Sequence, residues 1–215
     1  MPELFSGLDA AAVRRNLESV RERIAAAGRD PGDVEVCAAI KYVPAEELPA
    51  LAEGGVELVG ENRAQDLLAK QERHRDLFTW DFIGALQSRK LRDVAPNVRL
   101  IHSVASDSVL RRLHDHPVEE LLVQVNVAGE EGKAGIPPGE LAGFVARCPA
   151  RVSGLMTMPP LVERPEDSRR WFARLAELAS EHGVERLSMG TTQDFEVAVQ
   201  EGATIVRLGE VLYAD

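Results

Sequence analysis

Lys41 is the residue whose type and place are hardest to explain by packing alone. It ends the apolar run Val36-Cys37-Ala38-Ala39-Ile40, and it is one of four lysines in a chain with twenty-one arginines. Where this sequence needs a generic positive charge, it uses Arg. An amine can form an imine with an aldehyde, which a guanidinium cannot. Partial desolvation at a strand end lowers a lysine pKa and frees its lone pair for attack. The plain alternative is a lysine that snorkels from a strand end into water.

A second set of residues suits a phosphate. Ser188-Met189-Gly190-Thr191-Thr192 passes from a strand through a glycine to two hydroxyls. Thr192 is placed to cap a helix that begins near Asp194. A helix N-terminus with a glycine and hydroxyls is a ready anion cradle. Val206-Arg207-Leu208-Gly209 ends the last strand, where Gly209 allows a backbone to approach a ligand closely. An amine in one place and a phosphate cradle in another point to a phosphorylated aldehyde.

The elements that must carry these residues follow a regular rhythm. Apolar residues at Val13, Leu17, Val20 and Ile24 predict a helix over 8–28, stopped by Gly28. Strands are expected at 34–40, 57–59, 79–83, 98–101, 121–125, 152–155, 186–188 and 205–208. Helices are expected at 45–52, 64–73, 87–94, 108–114, 139–146, 166–180 and 194–200. Eight short apolar strands alternating with helices imply a parallel sheet. The fold expected is α/β, a single (β/α)8 TIM-type barrel with an extra N-terminal helix, as one domain over 1–215. An open doubly wound sheet is the alternative. In such a barrel, chemistry sits at the C-terminal ends of the strands, and phosphate sites at the loops after strands seven and eight. The residues expected at those ends include Lys41, Asn62, Gly84, Ser103, Asn126, Met156, Thr191, Thr192, Arg207 and Gly209.

Composition narrows the function classes. A net charge of −10, spread along the chain, makes nonspecific nucleic-acid binding a poor fit, because phosphates are repelled. Any bound phosphate must be held locally. Cys37 and Cys148 form no CxxC pattern and read as small core residues. The N-terminus lacks a basic region followed by an apolar stretch, and no apolar run approaches membrane-spanning length. A cytoplasmic protein that meets no membrane is expected, most simply as a monomer. His114-Asp115-His116 reads as a solvated helix end rather than a metal site. Gly129 to Gly135 reads as a mobile loop near the mouth, able to act as a lid. Trp80 and Trp171 are expected in the core.

With these blocks in order, the chain resembles the YggS/PROSC family of pyridoxal phosphate homeostasis proteins. The likeness rests on Ala38-Ala39-Ile40-Lys41, on Gly60-Glu61-Asn62-Arg63-Ala64-Gln65, and on the run from Trp80 to Lys90. It continues through His102-Ser103-Val104, Gln124-Val125-Asn126, Gly154-Leu155-Met156-Thr157-Met158, Ser188-Met189-Gly190 and Val206-Arg207-Leu208-Gly209. The resemblance implies a fold like the N-terminal barrel of alanine racemase, with pyridoxal 5′-phosphate (PLP) held as a Schiff base on Lys41. It implies phosphate contacts around Thr192 and Gly209, and Arg207 near the pyridine nitrogen. Asn62, Ser103, Met156, Ser188, Gly190 and Thr191 complete the expected cofactor site. It implies a carrier or regulator in vitamin B6 homeostasis without catalytic turnover, whose partners are PLP, apo PLP-dependent enzymes or amino acids. The chain departs from the family pattern at Ile40, Tyr42, Val43 and Asp81, at Thr191-Thr192, and in a C-terminal tail without Gly-x-Arg. Asp81 replaces a usual His.

Two enzyme readings compete. A PLP-dependent amino-acid racemase would add a β-domain supplying a second base, and none is expected after the eighth strand. A Schiff-base aldolase would need an acid–base partner beside the lysine, where Tyr42 is the local candidate.

Overall fold

A computed structural model describes residues 4–214. Residues 1–3, the start of the segment read for a targeting signal, lie outside the described residues, as does Asp215 of the C-terminal tail. Helix α1 (Ala10–Ala26) is capped by Asp9, whose carboxylate accepts from Ala12 N at 2.9 Å. Its buried face is Val13, Leu17, Val20 and Ile24. The chain leaves it through Gly28 at φ 94°, a conformation that glycine adopts without steric cost.

Eight strands follow: β1 (Glu35–Ala39), β2 (Leu58–Glu61), β3 (Thr79–Phe82), β4 (Leu100–Ile101), β5 (Glu120–Gln124), β6 (Arg151–Met156), β7 (Arg186–Thr191) and β8 (Ile205–Leu208). All pairings are parallel, in the order β4-β3-β2-β1-β8-β7-β6-β5. The seam between β4 and β5 is bridged just beyond β4. Val104 N donates to Leu122 O at 3.3 Å, and Gln124 N donates to Val104 O at 2.9 Å. The sheet is therefore a (β/α)8 barrel and not an open, doubly wound sheet. Between strands run α2 (Leu48–Glu53), α3 (Ala64–His74), α4 (Leu91–Val94), α5 (Asp107–Leu113), α6 (Leu141–Ala146), α7 (Arg169–His182) and α8 (Phe195–Gln200).

Three departures from the expected elements bear on the site. Strand β7 runs three residues past 188, because Gly190 at φ 89° lets the backbone bend without ending the ladder. The register with β8 shifts between Ser188 and Thr191. A short helix α9 (Glu210–Tyr213) follows β8 directly, too brief to show a period in the sequence. Helices α2, α4, α6 and α7 open on 3₁₀ turns, so their regular parts begin later than expected.

The core has two layers. One lies between the barrel wall and the helices. The other fills the barrel interior with Cys37, Leu58, Ile83, Leu100, Leu122, Met156 and Ile205. Trp80 is in the core, and its Nε1 donates to Arg75 O at 2.9 Å. Trp171 is not: it is partly exposed beneath the Arg170 guanidinium, 4.4 Å from its ring centroid. Cys148 is likewise only partly buried, whereas Cys37 is fully buried. Among the described residues, no helix is long and apolar enough to cross a membrane.

Candidate cofactor site

Period-two alternation aims the inward side chains. On β1, Cys37 and Ala39 alternate with the wall residues Val36 and Ala38, so positions 37 and 39 face the interior cluster, and Lys41 follows them to the rim. The same parity on β8 carries Ile205 inside and Arg207 above it. These side chains open onto one cavity of about 560 Å3 at the C-terminal end of the barrel, a size suited to a cofactor-scale ligand.

Lys41 lines this cavity and is exposed, with Nζ 4.7 Å from the Tyr42 ring centroid. The desolvation expected of it is not present. Its backbone is nonetheless firmly placed. The carbonyl of the preceding Ile40 accepts from Lys70 Nζ at 2.6 Å, and the same ammonium pairs with Glu61 Oε2 at 2.6 Å. The other Glu61 oxygen accepts from Asn62 N at 2.6 Å. Both partners are buried, so this pair ties the ends of β1 and β2 to α3.

The loops after β7 and β8 meet across the mouth. Thr192 Oγ1 accepts from Gly209 N at 3.2 Å, which leaves the hydroxyl hydrogen free to donate. Thr192 therefore ties the two loops together and does not cap α8; Asp194 is the N-cap residue. The carboxylate of Asp194 takes Thr191 N at 2.8 Å and Thr191 Oγ1 at 3.1 Å. Thr191 is thus spent on Asp194, and Thr192 is the hydroxyl that remains. A Cβ on Gly209 would meet only Ala39 O, at 3.8 Å, so space stands open beside that backbone. The first turn of α9 adds N–H groups that no intrahelical carbonyl takes. Loops seven and eight with a short extra helix make the phosphate-binding arrangement of these barrels.

Arg207 forms the wall below. It is buried, and its Nη1 donates to Ser188 Oγ at 2.6 Å while Nη2 donates to Thr157 O at 2.9 Å and Met158 Sδ at 2.8 Å. The buried acid at the end of β2, Glu61, is engaged by Lys70 and not by Arg207. Burial pushes the guanidinium down to about 10. Beneath lies a closed polar column. Ser188 contacts His102 Nδ1 at 2.8 Å, and His102 Nε2 contacts Asp81 Oδ2 at 3.0 Å. Arg99 holds Asp81 through Nε at 3.0 Å and Nη2 at 2.7 Å. Burial alone would raise the Asp81 carboxyl, but hydrogen bonds from His102 and Arg99 outweigh it and hold the group below its usual range. Burial pushes His102 down, and Asp81 offsets this only in part.

Of the residues expected at the site, Lys41, Asn62, Met156, Thr191, Thr192, Arg207 and Gly209 line the one cavity. Three do not. Ser188 sits behind Arg207. Ser103 is buried and donates to Gly84 O. Gly190 packs under α8, where a Cβ would lie 2.6 Å from Ala198 Cβ. The cavity also takes Tyr42, noted in the sequence only as an acid–base candidate beside the lysine, and Phe5, Gln124, Ala134, Gln193 and Glu210, which the sequence reading did not place at the site. Strand parity would have found Gln124, two residues beyond inward Leu122. Phe5 arrives only through tertiary contact, its N donating to Tyr42 O at 2.9 Å and its ring meeting Tyr213 edge-on at 5.0 Å. Val43, where the family pattern suggested a basic residue, is buried in the core.

The loop after β5 is fastened at both ends. Asn126 N donates to Ile136 O at 3.0 Å, Ile136 N to Gln124 O at 2.8 Å, and the Asn126 side chain brackets Glu130. Ala134 thereby becomes part of the cavity wall, and the structure gives this loop a fixed place at the mouth.

The donor set fits a phosphorylated aldehyde: a reachable amine, a free hydroxyl beside open backbone, and a buried guanidinium. Asn62 Oδ1 adds a buried oxygen without a protein partner.

No family model matches the chain. Relatives do. A pyridoxal phosphate homeostasis protein of Aquifex aeolicus is 40% identical over 94% of this chain and 95% of that protein. One of Pseudomonas aeruginosa is 39% identical over 90% of each. Among solved structures, PipY of Synechococcus elongatus, with PLP bound, superposes at TM-score 0.79 with 31% identity, covering 94% of this chain and all of that one. Alanine racemase of Corynebacterium glutamicum shares the barrel at TM-score 0.69 and 17% identity, over 99% of this chain and 63% of its own; that likeness concerns the fold alone. From identity over nearly the whole chain, it follows that this protein belongs to the pyridoxal phosphate homeostasis protein family.

Proposed function

We propose that this chain binds PLP as a Schiff base on Lys41 and holds it for vitamin B6 homeostasis without turning over a substrate. The observation that carries the reading is the meeting of Lys41, Thr192, Gly209 and Arg207 on one cavity. PLP supplies an aldehyde electrophile joined to a ring that can accept electrons. Lys41 Nζ supplies the amine. Thr192 Oγ1 and the backbone N–H of Glu210, beside the open space at Gly209, take the phosphate, where a charge-assisted hydrogen bond is worth about twice a neutral one. Arg207 keeps a donor-only, cationic group at the ring end of the cavity. PLP enzymes place either a carboxylate or a guanidinium there, and a guanidinium opposes protonation of the ring nitrogen, which weakens the ring as an electron sink. Besides Lys41, the cavity lining offers Tyr42 and Glu210 as groups able to move a proton. The racemase reading would need one of them as its second base.

The test is borohydride reduction followed by peptide mass mapping. Wild-type protein should carry the reduced cofactor on Lys41. Lys41→Arg should keep the charge and the fold and lose the adduct. Trapping at another lysine in that variant would move the linkage and end this assignment. Racemisation assays with the loaded protein then separate holding from turnover.

A further inference from the structure

The buried column beneath Arg207 has a direction. Asp81 is held as a carboxylate by Arg99 and His102, and a carboxylate only accepts. His102 Nε2 therefore carries the hydrogen that lies 3.0 Å from Asp81 Oδ2. A neutral ring then leaves Nδ1 bare, to accept the Ser188 hydroxyl hydrogen across 2.8 Å. Having given its hydrogen to His102, Ser188 Oγ accepts from Arg207 Nη1 at 2.6 Å. Each donor points the same way, from Arg207 down to Asp81. Any other assignment wastes a bond. Charging His102 would aim two donors at Ser188 Oγ and strand its own hydrogen in a site with no water-facing side, since Ser188 and His102 are both 0% exposed. A stranded buried donor costs about 1–3 kcal/mol.

Arg207 needs such a support. Its partners are a hydroxyl, a backbone carbonyl and a thioether, and none of these is an anion. A guanidinium carries five N–H donors in a rigid fork, so fixing one arm by Ser188 and the other by Thr157 O fixes where the remaining donors point. We propose that Asp81, His102 and Ser188 form a one-directional hydrogen-bond relay that holds the Arg207 guanidinium in a single orientation toward the cavity. They are positioning residues: none of the three lines the cavity. The charged and titratable groups facing the relay are Cys37 and Glu35 on β1, Arg99 before β4, Arg207 on β8 and Asp194 beyond β7. Arg99 ties its lower end to Glu35 at the opposite mouth of the barrel. The relay thus runs from one end of the barrel interior to the other. What Arg207 meets in the cavity rests on the proposed PLP reading; the direction of the relay does not.

Two measurements test it. In the ligand-free protein, ¹⁵N NMR of the His102 ring between pH 6 and 8 should show a neutral imidazole with its hydrogen on Nε2. A charged ring, or a hydrogen on Nδ1, overturns the proposal. In the PLP-loaded protein, the pH titration of the cofactor absorption should move upward in Ser188→Ala, because a loosened guanidinium opposes protonation of the ring less. The expected shift is about one pH unit, a tenfold change. Ser188→Thr keeps the hydroxyl and should return the midpoint to the wild-type value. Asp81→Asn, whose amide can donate, should move the His102 hydrogen to Nδ1. A Ser188→Ala titration superimposed on wild type overturns the relay, as does a Ser188→Thr shift equal to that of Ser188→Ala. Failure of the PLP reading would show separately, as wild-type protein without a borohydride-trapped adduct, and would leave the NMR measurement standing.

Discussion

Two lysines occupy neighbouring places at one rim of the barrel and are treated in opposite ways. Lys41 follows β1, exposed and lining the cavity. Lys70 reaches from α3 to the carbonyl of Ile40, the residue just before Lys41, and is buried against Glu61. The first keeps its amine free for a ligand. The second divides its bonding between the Glu61 carboxylate and the backbone just before the first. Scarcity of lysine in the sequence marked a chemical role, and at this rim the same scarce residue also serves as a fastening. What separates them is pairing: a charge closed on a countercharge is structural, and a charge left open is available.

Removing Lys70 should have the largest effect on stability. Lys70→Met leaves the buried Glu61 carboxylate unpaired, at a cost of roughly 3–5 kcal/mol, read by denaturant unfolding. Lys41→Arg should unfold within about 0.5 kcal/mol of wild type, because Lys41 is exposed. Equal losses in the two variants would erase the contrast between fastening and free amine. A smaller effect concerns the free side of the rim. Thr192→Val removes one hydroxyl donor to a charged acceptor, roughly 1.5–3 kcal/mol, and should weaken PLP binding about ten- to a hundredfold in a fluorescence titration. Unchanged affinity would place the phosphate elsewhere.

The smallest effect sharpens the comparison by acid. His102 is held below its ordinary value of 6.5, so below pH 6.5 the unfolded chain takes up a proton that the folded chain refuses. Asp81 is held below its ordinary value of 3.8, so its contribution is complete above that pH and is lost as pH falls through its folded value. Both effects make stability decline on acidification, His102 first and Asp81 later. His102→Gln should flatten the decline in stability below pH 6.5, measured by urea unfolding at each pH. An unchanged slope would mean that His102 titrates normally.

The architecture was legible because alternation of strands and helices is a local signal. Apolar runs at 34–40 and 205–208 reported β1 and β8 nearly to the residue. Lys41, Arg207, Thr192 and Gly209 were legible as a group because a barrel sends every strand end to one mouth. Less was readable at Gly190. Its type suggested a ligand approach, and its place under α8 makes it a packing glycine. The departure at Asp81 could be noticed in the sequence, but its meaning could not: Asp81, the segment carrying Arg99 and His102, and Ser188 are separated along the chain and meet only inside the closed barrel.

By itself the sequence determined the order of elements, the parity that turns Lys41 and Arg207 inward, and the chemistry an amine and hydroxyls can do, because these depend on residue type and near-neighbour spacing. Only the tertiary structure decided which charges close on one another. Lys70 took Glu61, leaving Arg207 to Ser188, and Asp194 took Thr191, leaving Thr192 free beside Gly209. Those choices rest on distances of a few ångströms, some between near neighbours such as Thr191 and Asp194 and some across strands as between Ser188 and Arg207, and burial makes the interior pairings exclusive, since an unpaired polar group in the interior is costly.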